Sequence, residues 1–204
     1  LGKLFGNTER AEQLVTLYDQ ARAKIADITN VIPEEEKPST LLLQYSDKGG
    51  EVAFSVPTGG FLQTQLVEMA GGAPVWKEVT GKGWSVITLE QIAAWNPEII
   101  IVVDYRGKAM EAVDRLKADE NWQQLDAVKN EKLYAFPLDF QSWDQPDSRW
   151  TLGLTWLATI LQPERFASLK MHEEIPAFYT DFYGLSESVI EQSILPLVKG
   201  SFLE

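Results

Sequence analysis

Few side chains in this sequence are equipped for covalent chemistry. There is one histidine, His172, and no cysteine in 204 residues. A zinc or non-haem iron centre would need carboxylates alone, a donor set that suits harder cations better. No G-x-S-x-G elbow and no G-x-G-x-x-G fingerprint occurs, and Gly81-Lys82 lacks the upstream glycine of a phosphate loop because Trp76 stands there. His172 falls near the start of an amphipathic C-terminal segment, where a lone histidine is ordinarily a surface residue. Nothing here points to nucleophilic or metal-assisted catalysis. The sequence is instead rich in tryptophan, with seven, several of them in Gly/Pro-rich connections. Loop tryptophans are stacking surfaces or partly buried lids, since each carries a large apolar area with one polar handle.

The net charge of −12 comes with no basic cluster. That argues against nucleic acid, which needs a localised positive footprint, and against a polybasic membrane patch. No apolar run approaches the roughly 18 residues of a membrane span, and no signal peptide is visible. The absence of cysteine excludes disulfides and thiolate metal sites and is compatible with an oxidising compartment. Apolar content of 45% in a chain this long predicts one substantial core, or one large domain with an appendage. The start at Leu1, inside the loop-like LGKLFGN, reads as that of a processed protein or an excised fragment, with the fragment favoured.

The elements that would position these side chains are readable. Residues 8 to 29 predict a long helix, capped by Asn7, with Glu9 in the first turn and Leu14, Tyr18, Ala21, Ile25 and Ile28 on one stripe. A linker-like VIPEEEKPST follows, in which Glu34-Glu35-Glu36 reads as solvated. Thr40 to Tyr45 and Glu51 to Val56 read as strands around a turn at Asp47-Lys48-Gly49-Gly50. Gly59-Gly60 opens a helix through Leu66 to Ala70 that ends at Gly71-Gly72. Trp84 then sits in a loop before a short helix, with Thr88 and Gln91 as a capping box and Glu90 in its first turn. Asn96-Pro97 stops that helix, and Ile99 to Val103 is a buried strand. A helix from Ala109 to Leu116, a turn at Trp122, a strand from Lys132 to Pro137 and an apolar helix from Asp147 to Leu161 follow. Asp147 reads as its cap, and Trp150 and Trp156 as core. The whole predicts an α/β fold with a mainly parallel sheet flanked by helices, in which ligands bind past the carboxyl ends of strands.

The order of these pieces resembles the second half of the substrate-binding proteins of ABC importers for iron-siderophores, haem and vitamin B12. In that family two α/β lobes are joined by one long rigid helix. The resemblance runs over nearly the whole chain. Leu1-Gly2 through Ile28 resembles the end of the first lobe and the bridging helix. Leu66 to Gly72 (LVEMAGG) is similar to a helix end in the second lobe. Trp84-x5-Glu90, then Asn96-Pro97-Glu98 and the Ile/Val strand, is the most specific piece. Asn121 to Leu133, Trp143, Arg149, and Leu152 to Leu161 before Pro163-Glu164 complete the order. The implied division is residues 1–35 for the end of the first lobe and the bridging helix, and 36–204 for the C-terminal lobe. The rest of the first lobe has no counterpart here.

The resemblance also implies roles. Glu90 stands where the family has an exposed carboxylate that docks an arginine pocket of the permease, and a helix N-terminus would keep that carboxylate ionised. Trp84 falls at an aromatic ligand contact. The loop FQSWDQPD matches a second ligand-contacting loop and offers Phe140, Gln141, Trp143, Asp144 and Gln145. Val56 to Gly60 and Tyr105-Arg106 lie at strand ends, as turn geometry or as ligand contacts. The implied function is extracytoplasmic, periplasmic or lipid-anchored at the cell surface. It is capture of a metal chelate, such as a ferric siderophore, haem or a corrinoid, and delivery to an ABC permease. It involves no catalysis, no cofactor, no nucleic acid and no direct membrane insertion. Few basic residues lie in those loops, Lys82 and Arg106 excepted, which weakens the case for a highly anionic catecholate; direct ligation of haem iron would fall to Tyr105 or to the absent lobe. The rivals are a cytoplasmic chelatase-like α/β enzyme and a protein-interaction module that uses its tryptophan loops as a binding face.

Overall fold

The computed structural model describes residues 2–47 and 51–203, so the expected turn at Asp47-Lys48-Gly49-Gly50 lies outside the described residues from Lys48 on. Helix α1 (Thr8–Thr29) leads to β1 (Ser39–Ser46), β2 (Ala53–Val56), α2 (Leu62–Met69), β3 (Ala73–Pro74) and β4 (Ser85–Ile87). Then come α3 (Leu89–Trp95), β5 (Ile99–Val103), α4 (Ala109–Ala118), α5 (Asp126–Lys129) and β6 (Leu133–Ala135). The long α6 (Trp150–Leu161) and α7 (Met171–Tyr183) precede a short α8 (Glu187–Val189) and a π-helical turn at Ile190–Ile194. No helix among the described residues is long and apolar enough to cross a membrane.

The sheet runs β4-β2-β1-β5-β6, with β3 beside the start of β1. Every residue of β5 is buried, and Leu41, Leu42 and Leu43 of β1 are fully enclosed. These unbroken apolar runs therefore form the middle of the sheet, covered on both faces. β1, β5 and β6 are parallel, and so are β1 and β3. β2 is antiparallel to β1 and to β4. Its six-residue connection to β1 explains this, because a parallel crossover needs a dozen residues or more. The predicted mainly parallel sheet thus carries an antiparallel flank. The segment expected as a simple loop after Trp84 contains β4, an edge strand too short to show a period, with Val86 open to solvent.

Helix α1 lies along the lobe and is held at successive points. Arg10 Nη2 donates to the carbonyls of Asp181 and Phe182, both at 2.9 Å, at the end of α7. Tyr18 stacks on Trp150 of α6 with ring centroids 5.8 Å apart. Lys24 pairs with Glu174 at 2.6 Å, and Thr29 Oγ1 donates to the Met69 carbonyl at 2.8 Å. The predicted stripe is the face that packs, with Ile25 and Thr29 buried.

Two close approaches shape the other side. At Gly153 of α6 a Cβ would lie 2.4 Å from the Trp143 carbonyl oxygen, so only glycine lets α6 meet the FQSWDQPD loop this closely. α6 begins three residues after Asp147, which caps the preceding turn instead by accepting from the Arg149 N–H at 2.8 Å. Beyond β6, Leu138 and Lys199 exchange backbone hydrogen bonds at 2.9 Å each, and Ser201 N–H donates to Ala135 O at 3.0 Å. That tail segment covers a sheet edge that would otherwise present unpaired backbone groups.

Candidate ligand rim and docking surface

Two buried carboxyl groups organise the loops at one end of the sheet. The first is Asp144, which is completely buried. Its Oδ2 accepts from the Tyr105 hydroxyl at 2.6 Å and from Gln63 Nε2 at 3.1 Å. Gln63 also binds the Asp144 backbone carbonyl at 3.1 Å, and Gln145 Nε2 reaches Oδ1 at 3.4 Å. Trp84 stands edge-on to Tyr105, centroids 6.0 Å apart. The structure therefore brings Trp84, Tyr105, Asp144 and Gln145 together from three loops. It adds Gln63, which the sequence reading missed. The available signal was a polar residue on the buried stripe of α2, beside Leu66 and Val67.

The second is Asp139, whose side chain is buried and which accepts from Trp143 Nε1 at 3.0 Å, from the Tyr179 hydroxyl and from the N–H groups of Phe140 and Gln141. Arg149 Nε approaches Asp139 Oδ1 to 2.8 Å, and Nη1 binds Asp147 Oδ2 at 2.9 Å. The guanidinium lies 6.0 Å from the Phe140 ring centre, within cation–π range. Phe140 and Gln141 are exposed, whereas Trp143 is fully buried and cannot stack on a ligand from this position. Its place is beneath the loop, holding it. Asp144 likewise acts from below rather than as an exposed contact. Arg106 is committed too: Nη2 lies 2.8 Å from Asp47 and 3.1 Å from the buried Asp104, while Arg115 shares Asp47 at 3.0 Å.

Both tyrosines are held as neutral phenols. Burial, then the neighbouring Asp144, pushes the Tyr105 hydroxyl far above its ordinary range; burial and Asp139 do the same to Tyr179. The unfolded chain ionises tyrosine near pH 10, while the folded state resists. Their contribution to stability is therefore complete below that pH and is lost as pH rises through the folded values. Denaturant unfolding followed from about pH 8 to about pH 11 should show falling stability, and a shallower fall in Tyr105→Phe. A flat profile in wild type would rule this out.

Glu90 is exposed in the first turn of α3. Its own backbone N–H and the Thr88 hydroxyl hold its carboxyl below the ordinary range. Both bonds of the capping box are present, Thr88 N–H to Gln91 Oε1 at 3.0 Å and Gln91 N–H to Thr88 Oγ1 at 3.3 Å. The residue lines an open groove of about 550 Å³ with Leu89, Ala93, Gln124 and Leu125. Asn96, in the left-handed region at φ 38°, exchanges two hydrogen bonds with Asp126 at 2.8 and 3.1 Å and ties α3 to α5. His172 is a surface side chain. Among the described residues no group of three or more histidine or acidic side chains is placed to hold a metal ion.

The described residues thus form one α/β lobe with a long helix braced along it and aromatic rings fixed at its loops by buried carboxyl groups. The chain belongs to the periplasmic binding protein family, whose sequence pattern matches residues 1–139. It is similar to the molybdate-binding protein MolA of Haemophilus influenzae, with 25% identity over 187 residues, covering 91% of this chain and 50% of that protein. The solved ABC transporter solute-binding protein of Sulfurospirillum deleyianum matches with 26% identity and a TM-score of 0.78, covering 94% of this chain and 58% of that one. A periplasmic solute-binding protein of Veillonella parvula matches with 26% identity and a TM-score of 0.73, over 95% and 57% of the two chains. The chain thus spans about half the length of the curated relative it matches. The loop after Asp139 lies beyond the stretch matched by the family pattern.

Proposed function

We propose that this chain is the bridging helix and second lobe of an extracytoplasmic solute-binding protein that captures a metal-containing solute, hands it to an ABC permease and catalyses nothing. The observation that carries the choice of solute is the rim itself. Trp84, Tyr105 and Phe140 offer aromatic surface, with Gln141 and Gln145 as polar neighbours. The nearby guanidinium groups of Arg106 and Arg149 are already paired with carboxylates. Such a surface suits a metal chelate with a partly apolar organic periphery, and a ferric hydroxamate siderophore fits it better than an anionic catecholate. Haem ligated through Tyr105 is disfavoured, because the tyrosine oxygen is engaged by Asp144. A second reading, a small oxyanion, is favoured by the molybdate named for one relative. It would require Arg149 to turn from Asp139.

Tryptophan-fluorescence titration of the full-length protein tests this, with ferric hydroxamate and catecholate siderophores, haem, cobalamin and molybdate. Saturable quenching by a chelate at micromolar concentration or tighter, with molybdate silent, is the expected result. Saturation by molybdate alone would favour the oxyanion. Silence across the panel would remove the metal-solute reading. Glu90→Ala should leave solute affinity unchanged and strongly reduce uptake, since a fixed exposed carboxylate is suited to pairing with a partner's arginine. Lost solute affinity in that variant would argue against the docking role.

A further inference from the structure

Tyr105 is exposed over 40% of its surface, yet its oxygen points inward to a carboxyl group with no exposed surface. What it shows to solvent is therefore chiefly its ring. Gln63, itself 6% exposed, donates from one amide nitrogen both to the Asp144 Oδ2 that Tyr105 uses and to the Asp144 backbone carbonyl, and so fixes that carboxyl group against its own backbone. Trp84 meets the same ring edge-on. A tyrosine serves a metal ion as phenolate, so its proton must leave and its oxygen must reach the metal. Here the O–H is spent on Asp144, and a phenolate at that distance from a buried carboxylate would be repelled.

We propose that Gln63 and Asp144 are positioning residues that hold Tyr105 as a ring surface, so that the rim accepts a metal complex whose coordination sphere is already complete. The rim lends such a solute the ring surfaces of Trp84 and Tyr105, and Tyr105 gives no oxygen to its metal. This rests on the solute-binding reading above and narrows its ligand to coordinatively saturated complexes, as against metal ions or complexes with open positions.

Two measurements test it, and neither depends on finding the natural solute. The full-length protein is titrated near neutral pH with ferric nitrilotriacetate, which leaves iron positions open to a tyrosinate. No tyrosinate-to-iron charge-transfer absorption is expected. A visible band that appears in wild type and vanishes in Tyr105→Phe overturns the proposal. Separately, fluorotyrosine-labelled protein is followed by fluorine NMR, with the Tyr105 line assigned from Tyr105→Phe. Asp144→Asn and Gln63→Leu should shift and broaden that line with circular dichroism unchanged, while Asp126→Asn, in the groove beside α3, leaves it in place. A Tyr105 line unmoved by loss of its anchors overturns the positioning role. Gln63→Leu keeps the carboxyl group and carries this test if Asp144→Asn does not fold. Failure of the solute-binding reading would show instead as silence in the fluorescence panel, so the two failures are distinguishable.

Discussion

Replacing Trp143 with alanine is expected to cost the protein about 3–5 kcal/mol of stability, the range for deleting a buried aromatic side chain. Trp143 is fully enclosed, meets Phe202 edge-on, and donates its indole N–H to Asp139. Its backbone carbonyl lies against Gly153, so α6 cannot slide in to fill the vacated space without moving the loop. Denaturant midpoints with an unchanged slope would register the loss as stability alone. An unchanged midpoint accompanied by lost solute binding would mean that the ring turns outward in solution and contacts the ligand directly.

Asp139→Ala should be comparably damaging, again about 3–5 kcal/mol, because it breaks a largely buried ion pair and removes the acceptor of several buried donors. Arg149 would keep only Asp147, and the Trp143 indole and Tyr179 hydroxyl would lose their acceptor. Asp139→Asn keeps one acceptor oxygen and should fall between wild type and the alanine variant. Since Trp143 and Asp139 share a hydrogen bond, the double variant should lose less than the sum of the single losses. A loss below about 1 kcal/mol in Asp139→Ala would show that the loop does not depend on this carboxylate.

What the sequence made legible, and what it hid, follows from how local each signal is. Helix α1, the Thr88–Gln91 capping box, the Asn96-Pro97 stop and the β5 run are encoded within a few residues, and each is present in the structure. β4 is hidden because three residues at a sheet edge carry no period, and its pairing partner lies about thirty residues earlier in the chain. The rim was half legible. Its loops could be named from the family resemblance, but the side of each loop facing solvent could not. Trp84 and Trp143 look alike in sequence, both set among turn residues. Trp143 is drawn inside by Asp139, which in turn is engaged by Tyr179, forty residues further on. Gln63 was passed over because amphipathic patterning treats a polar residue on an apolar stripe as noise, whereas here it holds the Asp144 carboxyl.

Helix α1, tied to the lobe at Arg10, Tyr18, Lys24 and Thr29, is a rod held at four stations. Bending it would break helical hydrogen bonds and these anchors together, so it offers no hinge. A load applied near Arg10 is therefore carried along the helix to Thr29 and into the lobe rather than absorbed by bending.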